Sequence, residues 1–373
     1  MTILVCPDKF RGSLSASEAC MAIQKGLHDI DPNIDVVLAP MADGGEGSLE
    51  AISQSMDLKY RSCLAHDALM QKIESSYAIG DDVAYIESAK VIGLSMLEVE
   101  ERDPMHTTSF GLGEVIADAI NYGVKEIVLF VGGSATNDGG IGMAAALGYK
   151  FIDKDGESVQ PSGGKLLDIA KIVSPKENPL HKIEVKIMCD VDNTFFGELG
   201  ATKVYSSQKG ANKEDIQVLE EGMMHLAIII KRDLGKDIAQ MTRSGAAGGI
   251  GGGSFAFLNA ELHSGSTEII RMTGLEQKIQ EVDYVISGEG SLDVQSLQGK
   301  VISTLAKMCK EADKKLVLFC GRSTLNEKEI ASLNVEYFDT VLEHAKDEEK
   351  AVSNASGLLA EIAGRWVKLH LYD

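Results

Sequence analysis

Residues 126–148, EIVLFVGGSATNDGGIGMAAALG, decide the fold class of this chain. The stretch begins with an apolar run that ends at Gly132 and Gly133, which is the pattern of a buried strand. It closes with an alanine-rich run that Gly148 terminates, which is the pattern of a helix. A strand, a glycine-rich loop and a helix in this order predict a βα unit whose loop offers free N–H groups to an anion.

Asp138 lies inside that loop, among backbone groups that favour an anion. A carboxylate fits better there beside a magnesium ion or a substrate hydroxyl than beside a phosphate alone. The alternative is a tight turn that caps the next helix, since Gly, Asn and Asp are common in turns. The loop by itself leaves both interpretations open.

The composition is that of an ordinary globular protein with a strongly acidic balance. The 373 residues are 44% hydrophobic and 25% charged, and the formal net charge is −20. This charge disfavours a nucleic-acid or anionic-membrane surface, and no apolar run approaches the ~20 residues that span a bilayer. An anionic substrate would therefore need cations collected locally. The length predicts two domains, because single cores rarely exceed ~250–300 residues.

Cysteine and histidine usage disfavours disulfide bonds and zinc sites. The six cysteines and eight histidines are scattered, without a CxxC pair or an HExxH motif. The N-terminal residues, MTILVCPDKF, lack a basic leader with a long apolar core, so we expect no signal peptide. These observations predict a cytoplasmic protein with reduced thiols.

Two further βα units follow the same pattern near the N-terminus. TILVCPD (2–8) predicts a first strand, and Ser15 with Glu18 predicts a capping box for the helix after it. DVVLAPM (35–41) predicts a second strand that ends in another acidic, glycine-rich loop. Two such loops predict a parallel sheet whose loops share one edge. Lys9, just beyond the first strand, is then placed like an anion ligand, and a solvated turn is the alternative.

The middle of the chain departs from this βα pattern. Alternating runs between 57 and 88 predict a β-hairpin around Gly80-Asp81-Asp82, and Thr107-Thr108-Ser109 predicts the cap of a helix over about 110–122. The βα pattern resumes near residue 283. We therefore expect a Rossmann-like, doubly wound parallel-sheet domain, residues 1–60 and 265–373, with a second α/β domain, residues 61–264, inserted in it.

Later loops also combine glycine with charged residues. Asp190 ends a predicted strand, and with Lys209 further on it suits Mg²⁺ and phosphate. For the neighbouring Asp192, an Asx turn is the alternative. SGAAGGIGGG (244–253) either flexes or lets a ligand approach its backbone closely. No GxxxxGK[ST] motif occurs, so a bound nucleotide would not use a Walker A loop.

This set of loops favours phosphoryl transfer over other reactions. Phosphoryl transfer needs backbone N–H donors, a cation, a carboxylate-held Mg²⁺ and a positioned acceptor hydroxyl. Hydride transfer would need one dinucleotide loop and not many carboxylates, and metal-assisted hydrolysis usually uses histidine ligands.

The chain resembles the glycerate kinase family of bacterial glycerate catabolism. The strings that carry the resemblance occur in the family's order and cover essentially the whole chain: PDKFRGSLSA (7–16), PMADGGEGS (40–48), GGSATNDGGIGMAAALG (132–148), CDVDN (189–193), QKGA (208–211), GAAGGIGGG (245–253) and GEGSLDVQ (288–295), with GK (299–300). The GGSATNDGG and MADGGEG strings are highly specific.

The resemblance implies an ATP-dependent kinase that phosphorylates D-glycerate at the 2-hydroxyl to give 2-phosphoglycerate. It implies a site in the cleft between two α/β domains, and glycerate, ATP and Mg²⁺ as ligands. Neither nucleic acid nor a membrane is expected as a partner, and the chain is expected to be a monomer or a homodimer. Three alternatives stay open: formation of 3-phosphoglycerate, phosphorylation of another small hydroxy acid such as hydroxypyruvate or tartronate, and non-catalytic binding of small anions.

Within that resemblance, four residues are predicted to be catalytic. Lys9 and Arg11 would hold the glycerate carboxylate or the transferring phosphoryl group. Asp293, or as second choice Asp190, would accept the hydroxyl proton.

Further residues are predicted to bind metal, substrate or phosphate. Asp43, Asp138 and Asp190 would hold Mg²⁺, and the glycines at 245–253 would form a mobile flap or hinge. The remaining predicted substrate or phosphate ligands are Asp8, Ser13, Gly44, Gly45, Gly132, Gly133, Ser134, Asn137, Lys209, Gly248, Gly249, Gly251, Glu289, Lys300 and Arg322.

Overall fold

The structure is a computed structural model that describes residues 1–178, 180, 182–297 and 301–372. The chain forms two compact units. The first unit contains Met1–Asp43, Glu50–Asp57 and the chain from Ser266 onward, and the second contains Gly44–Leu49 and Leu58–Gly265. Both are built from helices and mainly parallel strands, which confirms the predicted α/β class.

The strands are short and most of them precede a helix. Within the described residues they are, in chain order, β1 (Thr2–Val5), β2 (Asp35–Leu38), β3 (Lys59–His66), β4 (Lys72–Gly80), β5 (Val83–Glu87), β6 (Glu126–Phe130), β7 (Lys150–Ile152), β8 (Lys171–Val173), β9 (Glu184–Met188), β10 (Glu261–His263), β11 (Tyr284–Ser287), β12 (Ser291–Leu292), β13 (Lys315–Cys320), β14 (Arg322–Ser323) and β15 (Val335–Thr340).

The helices range from single turns to six turns. Within the same described residues they are α1 (Ala16–His28), α2 (Ser48–Ser53), α3 (Ala89–Ile92), α4 (Phe110–Tyr122), α5 (Ile141–Ala146), α6 (Ala201–Tyr205), α7 (Lys213–Leu234), α8 (Ala246–Gly253), α9 (Gly265–Thr273), α10 (Leu275–Gln280), α11 (Val301–Glu311), α12 (Glu327–Ser332), α13 (Val341–His344), α14 (Glu348–Ser353) and α15 (Ala355–His370). Short 3-10 helices lie at Leu94–Met96, Val99–Glu101, Gly163–Asp168, Ser207–Lys209 and Val294–Leu297, and a π-helical turn lies at Ser254–Leu258.

The first unit contains a five-stranded parallel sheet in the order β15-β13-β11-β1-β2. The chain passes from β1 to β2 on one side, whereas β11, β13 and β15 extend the sheet on the other side. The strand order therefore reverses between β1 and β11. Open α/β sheets bind ligands beyond the carboxyl ends of the strands at such a reversal. The loops after β1 and β11 are thus the expected place for a site.

Both faces of this sheet are buried. Ile3 and Val5 pack in one core with residues of α1 and α15, and Leu4 between them is also fully buried. Since successive strand residues point to opposite faces, the sheet must be covered on both sides, as in doubly wound folds. Trp366, the single tryptophan of the sequence, lies in the α1–α15 core.

The second unit contains a six-stranded mixed sheet in the order β10-β9-β6-β5-β4-β3. The strands β10, β9, β6 and β5 are parallel, and β5, β4 and β3 pair antiparallel. The predicted hairpin is confirmed between β4 and β5, where Asp81 takes a left-handed conformation with φ 53°. The carboxyl ends of the parallel strands share one edge, where the loops after β5, β6, β9 and β10 lie.

Candidate functional site

The loops after β1 and β2 place a lysine between two carboxylates in the first unit. Lys9 Nζ lies 3.3 Å from Asp43 Oδ1. The Asp8 Oδ1 atom accepts a 2.6 Å hydrogen bond from the Lys9 backbone N–H. The Asp8 backbone N–H donates to Gly288 O at 2.8 Å, which joins β1 to the loop after β11. Three predicted site residues therefore meet at the reversal of the strand order.

The surroundings of this cluster shift the pKa of one carboxyl toward neutral pH. Burial raises the pKa of Asp8 to about 7, Asp43 and Glu289 add to the rise, and Lys9 opposes it. Burial also disfavours the charge on Lys9, but Asp43 and Asp8 outweigh burial and hold the pKa of Lys9 above its ordinary value. A carboxyl that titrates near neutral pH beside a fixed cation suits a general acid or base.

The loop after β11 is packed tightly against its neighbours in the first unit. A Cβ atom at Gly288 would lie 1.7 Å from Phe319 O, and one at Gly290 would lie 3.0 Å from Arg11 N. The Gly321 backbone N–H donates to Glu289 O at 2.9 Å. These contacts fix Glu289 close enough to Asp8 to raise its pKa.

The other predicted residues of the first unit make local contacts. Arg11 is exposed. Ser13 Oγ donates a 3.0 Å hydrogen bond to Val352 O. Arg322 Nη1 forms a 3.6 Å ion pair with Glu348. Asp293 Oδ1 accepts a 3.3 Å hydrogen bond from the Ser296 N–H. Lys300 lies outside the described residues. The functional roles of these five residues stay predictions.

Asp138 is a structural ligand of the backbone in the second unit. Its fully buried carboxylate accepts four hydrogen bonds: from Ser109 N and Ser109 Oγ, both at 2.8 Å, from Gly140 N at 3.0 Å and from Gly142 N at 3.2 Å. These bonds occupy the N–H groups at the start of α5, so they are not offered to a bound anion. The arrangement supports the alternative of a turn that caps the next helix, and the Mg²⁺ ligand at Asp138 stays a prediction.

Ser109 has a different role from the predicted helix cap. It occupies the N-cap position of α4 but makes no side-chain cap hydrogen bond. Its hydroxyl instead donates to Asp138 and accepts a 2.9 Å hydrogen bond from Met143 N. Ser109 therefore ties the start of α4 to α5, and local sequence had pointed only to a cap.

Lys209 supports the loop after β6 from inside the protein. It is only 3% exposed, and its Nζ donates to Thr136 O at 2.7 Å and to Ser134 Oγ at 3.3 Å. Burial lowers the pKa of Lys209 to about 7, although the charge of Asp138 opposes this. These hydrogen bonds give Lys209 a supporting role in the loop, and its contact with a phosphate stays a prediction.

Asn137 is enclosed in the same way. It is fully buried, donates to Thr202 Oγ1 at 3.1 Å and accepts from Ser206 Oγ at 3.2 Å. These bonds tie the loop to α6 and to the residue after it. The structure therefore gives Asn137 a structural role, and its ligand contact stays a prediction.

The glycine-rich run is packed in the core of the second unit. Ala247, Gly248 and Gly249 are left-handed, with φ 54°, 67° and 90°, inside α8. A Cβ atom at Gly248 would lie 1.9 Å from Thr136 O, and one at Gly249 would lie 2.5 Å from Met223 Cε. The glycines therefore let two backbones approach closely, while the mobile segment and the phosphate contacts at Gly248 and Gly249 stay predictions.

Other predicted residues do meet at the carboxyl edge of the second sheet. Ser264, after β10, donates from Oγ to Asp190 Oδ1 at 2.8 Å, after β9. The Gly132 backbone N–H donates to Gly44 O at 3.3 Å, and a Cβ atom at Gly132 would lie 2.7 Å from Gly45 Cα. The glycines thus allow the loop after β6 to contact the loop at 44–45.

Two residues at this edge were not predicted. Glu87, at the end of β5, is buried and accepts from the N–H groups of Gly47 at 2.9 Å and Leu49 at 3.2 Å. Arg243 lies beside the loop after β9, with Nη2 3.5 Å from Asp192 Oδ1. A charged residue ending an apolar strand, and an arginine just before a glycine run, were the signals that could have revealed them.

A magnesium ion fits the first unit better than the second. In the described ranges no group of three or more His, Cys, Asp or Glu residues is placed to hold a metal ion. Mg²⁺, however, commonly takes only one or two carboxylates and completes its shell with water and substrate phosphates. Asp43, which pairs with Lys9 and is partly exposed, offers one such carboxylate in the first unit.

Comparisons with known proteins agree with the resemblance seen in the sequence. The sequence pattern of the glycerate kinase family matches residues 3–371. A glycerate kinase of Halalkalibacterium halodurans is 35% identical over 97% of this chain and 96% of its own length. The glycerate 2-kinase of Escherichia coli K12 is 39% identical over 87% of this chain and 86% of its own length.

A solved structure is similar over nearly the whole chain. The protein, from Salmonella typhimurium LT2 and assigned as glycerate kinase 2, superposes with a TM-score of 0.80 at 34% identity, covering 99% of this chain and 97% of that one. Among the described helices, none is long and apolar enough to cross a membrane. The family match over residues 3–371 and relatives above 30% identity lead to one conclusion: the chain belongs to the glycerate kinase family.

Proposed function

We propose that this protein is an ATP-dependent kinase that phosphorylates D-glycerate at the 2-hydroxyl to give 2-phosphoglycerate. Family membership supports the kinase reaction with ATP, and the name of the Escherichia coli relative, glycerate 2-kinase, supports the 2-position. The structural observation that carries the proposal is the cluster of Asp8, Lys9 and Asp43 at the reversal of the strand order.

In this proposal Asp8 accepts the proton of the glycerate hydroxyl. As the oxygen bonds to the γ-phosphorus and ADP leaves, the proton moves to a carboxylate. Efficient proton transfer needs a pKa near the working pH, and burial gives Asp8 a pKa of about 7. Asp293 and Asp190, the candidates from the sequence, are the alternatives, and they lie in different loops from Asp8.

Lys9 supplies the positive charge in this cluster. Its side chain is 18% exposed, and its ammonium is held by Asp43 and remains charged because the nearby carboxylates keep its pKa high. A fixed cation of this kind stabilises charge on a transferring phosphoryl group or binds the glycerate carboxylate. Arg11 would add a second, more exposed cation near it.

Asp43 would hold Mg²⁺ in this proposal. The ion when bound neutralises charge on the nucleotide phosphates. In the second unit, the backbone N–H groups of Gly133 and Ser134 are the proposed contacts for anionic oxygen, because the start of α5 is occupied by Asp138.

We also propose that the two compact units correspond to the two domains expected from the sequence at residues 1–60 with 265–373 and 61–264. The cleft location of the active site, the monomeric or homodimeric state and the cytoplasmic location stay predictions.

Turnover with D-glycerate, ATP and Mg²⁺ tests the proposal, with ADP release as the rate and ³¹P NMR identifying the product. We expect 2-phosphoglycerate, and slower reaction with hydroxypyruvate and tartronate. Lys9→Met should lower kcat by about 10²–10⁴-fold. The surface exchange Lys25→Met is the matched control, because Lys25 is exposed on α1 and pairs with Asp29, the residue after that helix. A protein that binds these acids without consuming ATP would instead be the anion-binding alternative.

A further inference from the structure

Arg243 has an unusual backbone conformation. Its φ is 69°, a left-handed value that disfavours any residue with a Cβ atom. The neighbouring glycine helix holds it there: Ala246 N donates to Arg243 O at 3.1 Å, and a Cβ atom at Gly251 would lie 2.3 Å from the same oxygen. Strained conformations of this kind persist where the surroundings fix them, and they cluster at functional sites.

The side chain of Arg243 has an unused donor. Its Nε–H is buried and has no hydrogen-bond partner within the described part of the chain. The Nη2 atom reaches Asp192 only at 3.5 Å, and the Asp192 side chain is 75% exposed, so that pair is weak. A buried N–H group without an acceptor is unfavourable, which points to an acceptor supplied from outside the protein chain.

The guanidinium lies at the carboxyl end of β9. Burial raises the pKa of the Cys189 thiol to about 12, and the nearby charge of Arg243 opposes that rise. Gly245 N donates to Asn193 O at 2.9 Å, so the chain after Arg243 is bonded to the same loop. Asp190 lies in that loop as well, which places Arg243 at the edge of the sheet where the predicted ligands of the second unit meet.

We propose that Arg243 binds an anionic oxygen group, either a nucleotide phosphate or the glycerate carboxylate, at the carboxyl end of β9. A guanidinium offers parallel N–H donors that match two oxygens of such a group. With a net charge of −20, the protein needs fixed cations wherever it binds an anion. The inference rests on the proposed function for the identity of the ligand, and on the geometry of Arg243 for the site.

The substitution Arg243→Gly separates binding from backbone strain. Glycine adopts φ 69° freely, so the variant should melt no lower than the wild type while losing the guanidinium. We expect the kcat/KM of Arg243→Gly to fall about 10²-fold. Arg243→Lys keeps the positive charge but lacks the paired N–H donors of the guanidinium, so its kcat/KM should lie between those of Arg243→Gly and the wild type. If Arg243→Gly fails to fold, Arg243→Asn replaces it, because Asn also tolerates left-handed backbone.

Two controls test the alternative that Arg243 only holds its neighbour. Asp192→Asn removes the weak ion pair, and Arg232→Gln removes another arginine of the same unit, one that pairs with Asp233. Both should keep wild-type kcat/KM. An Asp192→Asn variant as impaired as Arg243→Gly would overturn the proposal, because the pair and not the free donor would then matter.

Calorimetric titrations with ATP and with D-glycerate, each alone, identify the ligand. Affinity lost only for ATP assigns the phosphate, and affinity lost only for glycerate assigns the carboxylate. Unchanged affinity for both in a folded Arg243→Gly variant overturns the inference and leaves the kinase proposal intact. If the wild type shows no turnover, the proposed function fails, and titration with inorganic pyrophosphate then tests the anion site by itself. Weaker pyrophosphate binding by Arg243→Gly than by the wild type supports the site. Equal binding by the two proteins, or no binding by the wild type, overturns the inference.

Discussion

Replacing Asp8 by Asn should stabilise the first unit in a pH-dependent way. Burial, with Asp43 next, raises the pKa of Asp8 from 3.8 to about 7 on folding. Between those values the folded state keeps a proton that the unfolded state has released. The free energy of unfolding therefore falls as pH rises through this window, and stays reduced above it. Asn carries no titrating proton, so the variant escapes this loss.

The size of the effect follows from the width of the window. A pKa difference of roughly three units lowers the free energy of unfolding by about 4 kcal/mol once Asp8 is ionised in both the folded and the unfolded state. Asn can still accept the Lys9 backbone hydrogen bond that Asp8 Oδ1 now accepts at 2.6 Å, so the geometry is kept. Between pH 5 and pH 8 the stability advantage of Asp8→Asn should grow by about 2–3 kcal/mol.

Urea unfolding followed by tryptophan fluorescence measures this advantage. Trp366 is the single tryptophan and is fully buried in the unit that contains Asp8, so its signal reports on that unit. The exposed exchange Asp57→Asn in the same unit controls for the loss of one negative charge. Wild-type and Asp8→Asn curves that stay parallel from pH 5 to pH 8 would refute the assignment of a raised pKa. The same variant should lose kcat, since the proposed proton acceptor is gone.

Two predictions concern the second unit. Gly248→Ala should destabilise it by about 3 kcal/mol or more, because the new Cβ would lie 1.9 Å from Thr136 O. The control Gly235→Ala has a similar φ of 69° but lies in open space, so it should lower the stability by only about 1 kcal/mol. Calorimetric melting compares the two, and equal losses would mean that crowding is unimportant. Asp138→Asn should lower the stability of the unit by about 2–4 kcal/mol without raising the Mg²⁺ concentration needed for activity, because the carboxylate serves backbone donors. A higher Mg²⁺ requirement at unchanged melting temperature would restore the metal-ligand role.

Sequence reasoning succeeded where the determinants are local. The capping box of Ser15 and Glu18 is confirmed, with hydrogen bonds of 2.8 Å and 3.2 Å between side chains and backbone three residues apart. Strands bounded by glycines were recognised because apolar runs and turn residues are adjacent in the chain. The same locality placed Asp8, Lys9 and Asp43 after strands that proved to be neighbours in one sheet.

Sequence reasoning did not reveal the hydrogen bonds that join distant residues. Ser109, which donates to Asp138, lies 29 residues earlier in the chain. Nothing near Lys209 in the sequence shows that Thr136, 73 residues away, accepts its hydrogen bond in the core. A run of glycines permits either mobility or close packing, and the partners of Gly248 and Gly249 are remote in sequence.

Asp8 and Lys209 show that a displaced pKa does not by itself mark a catalytic group. Burial brings both to about 7, from opposite sides of neutrality. Asp8 lies at the reversal of strand order beside the partly exposed Lys9 and Asp43, so a substrate hydroxyl can approach the cluster. Lys209 Nζ instead donates hydrogen bonds to Thr136 O and Ser134 Oγ inside the protein. We therefore propose proton transfer for Asp8 because its neighbours are partly exposed, and positioning of the glycine-rich loop for Lys209, and the pKa alone carries neither proposal.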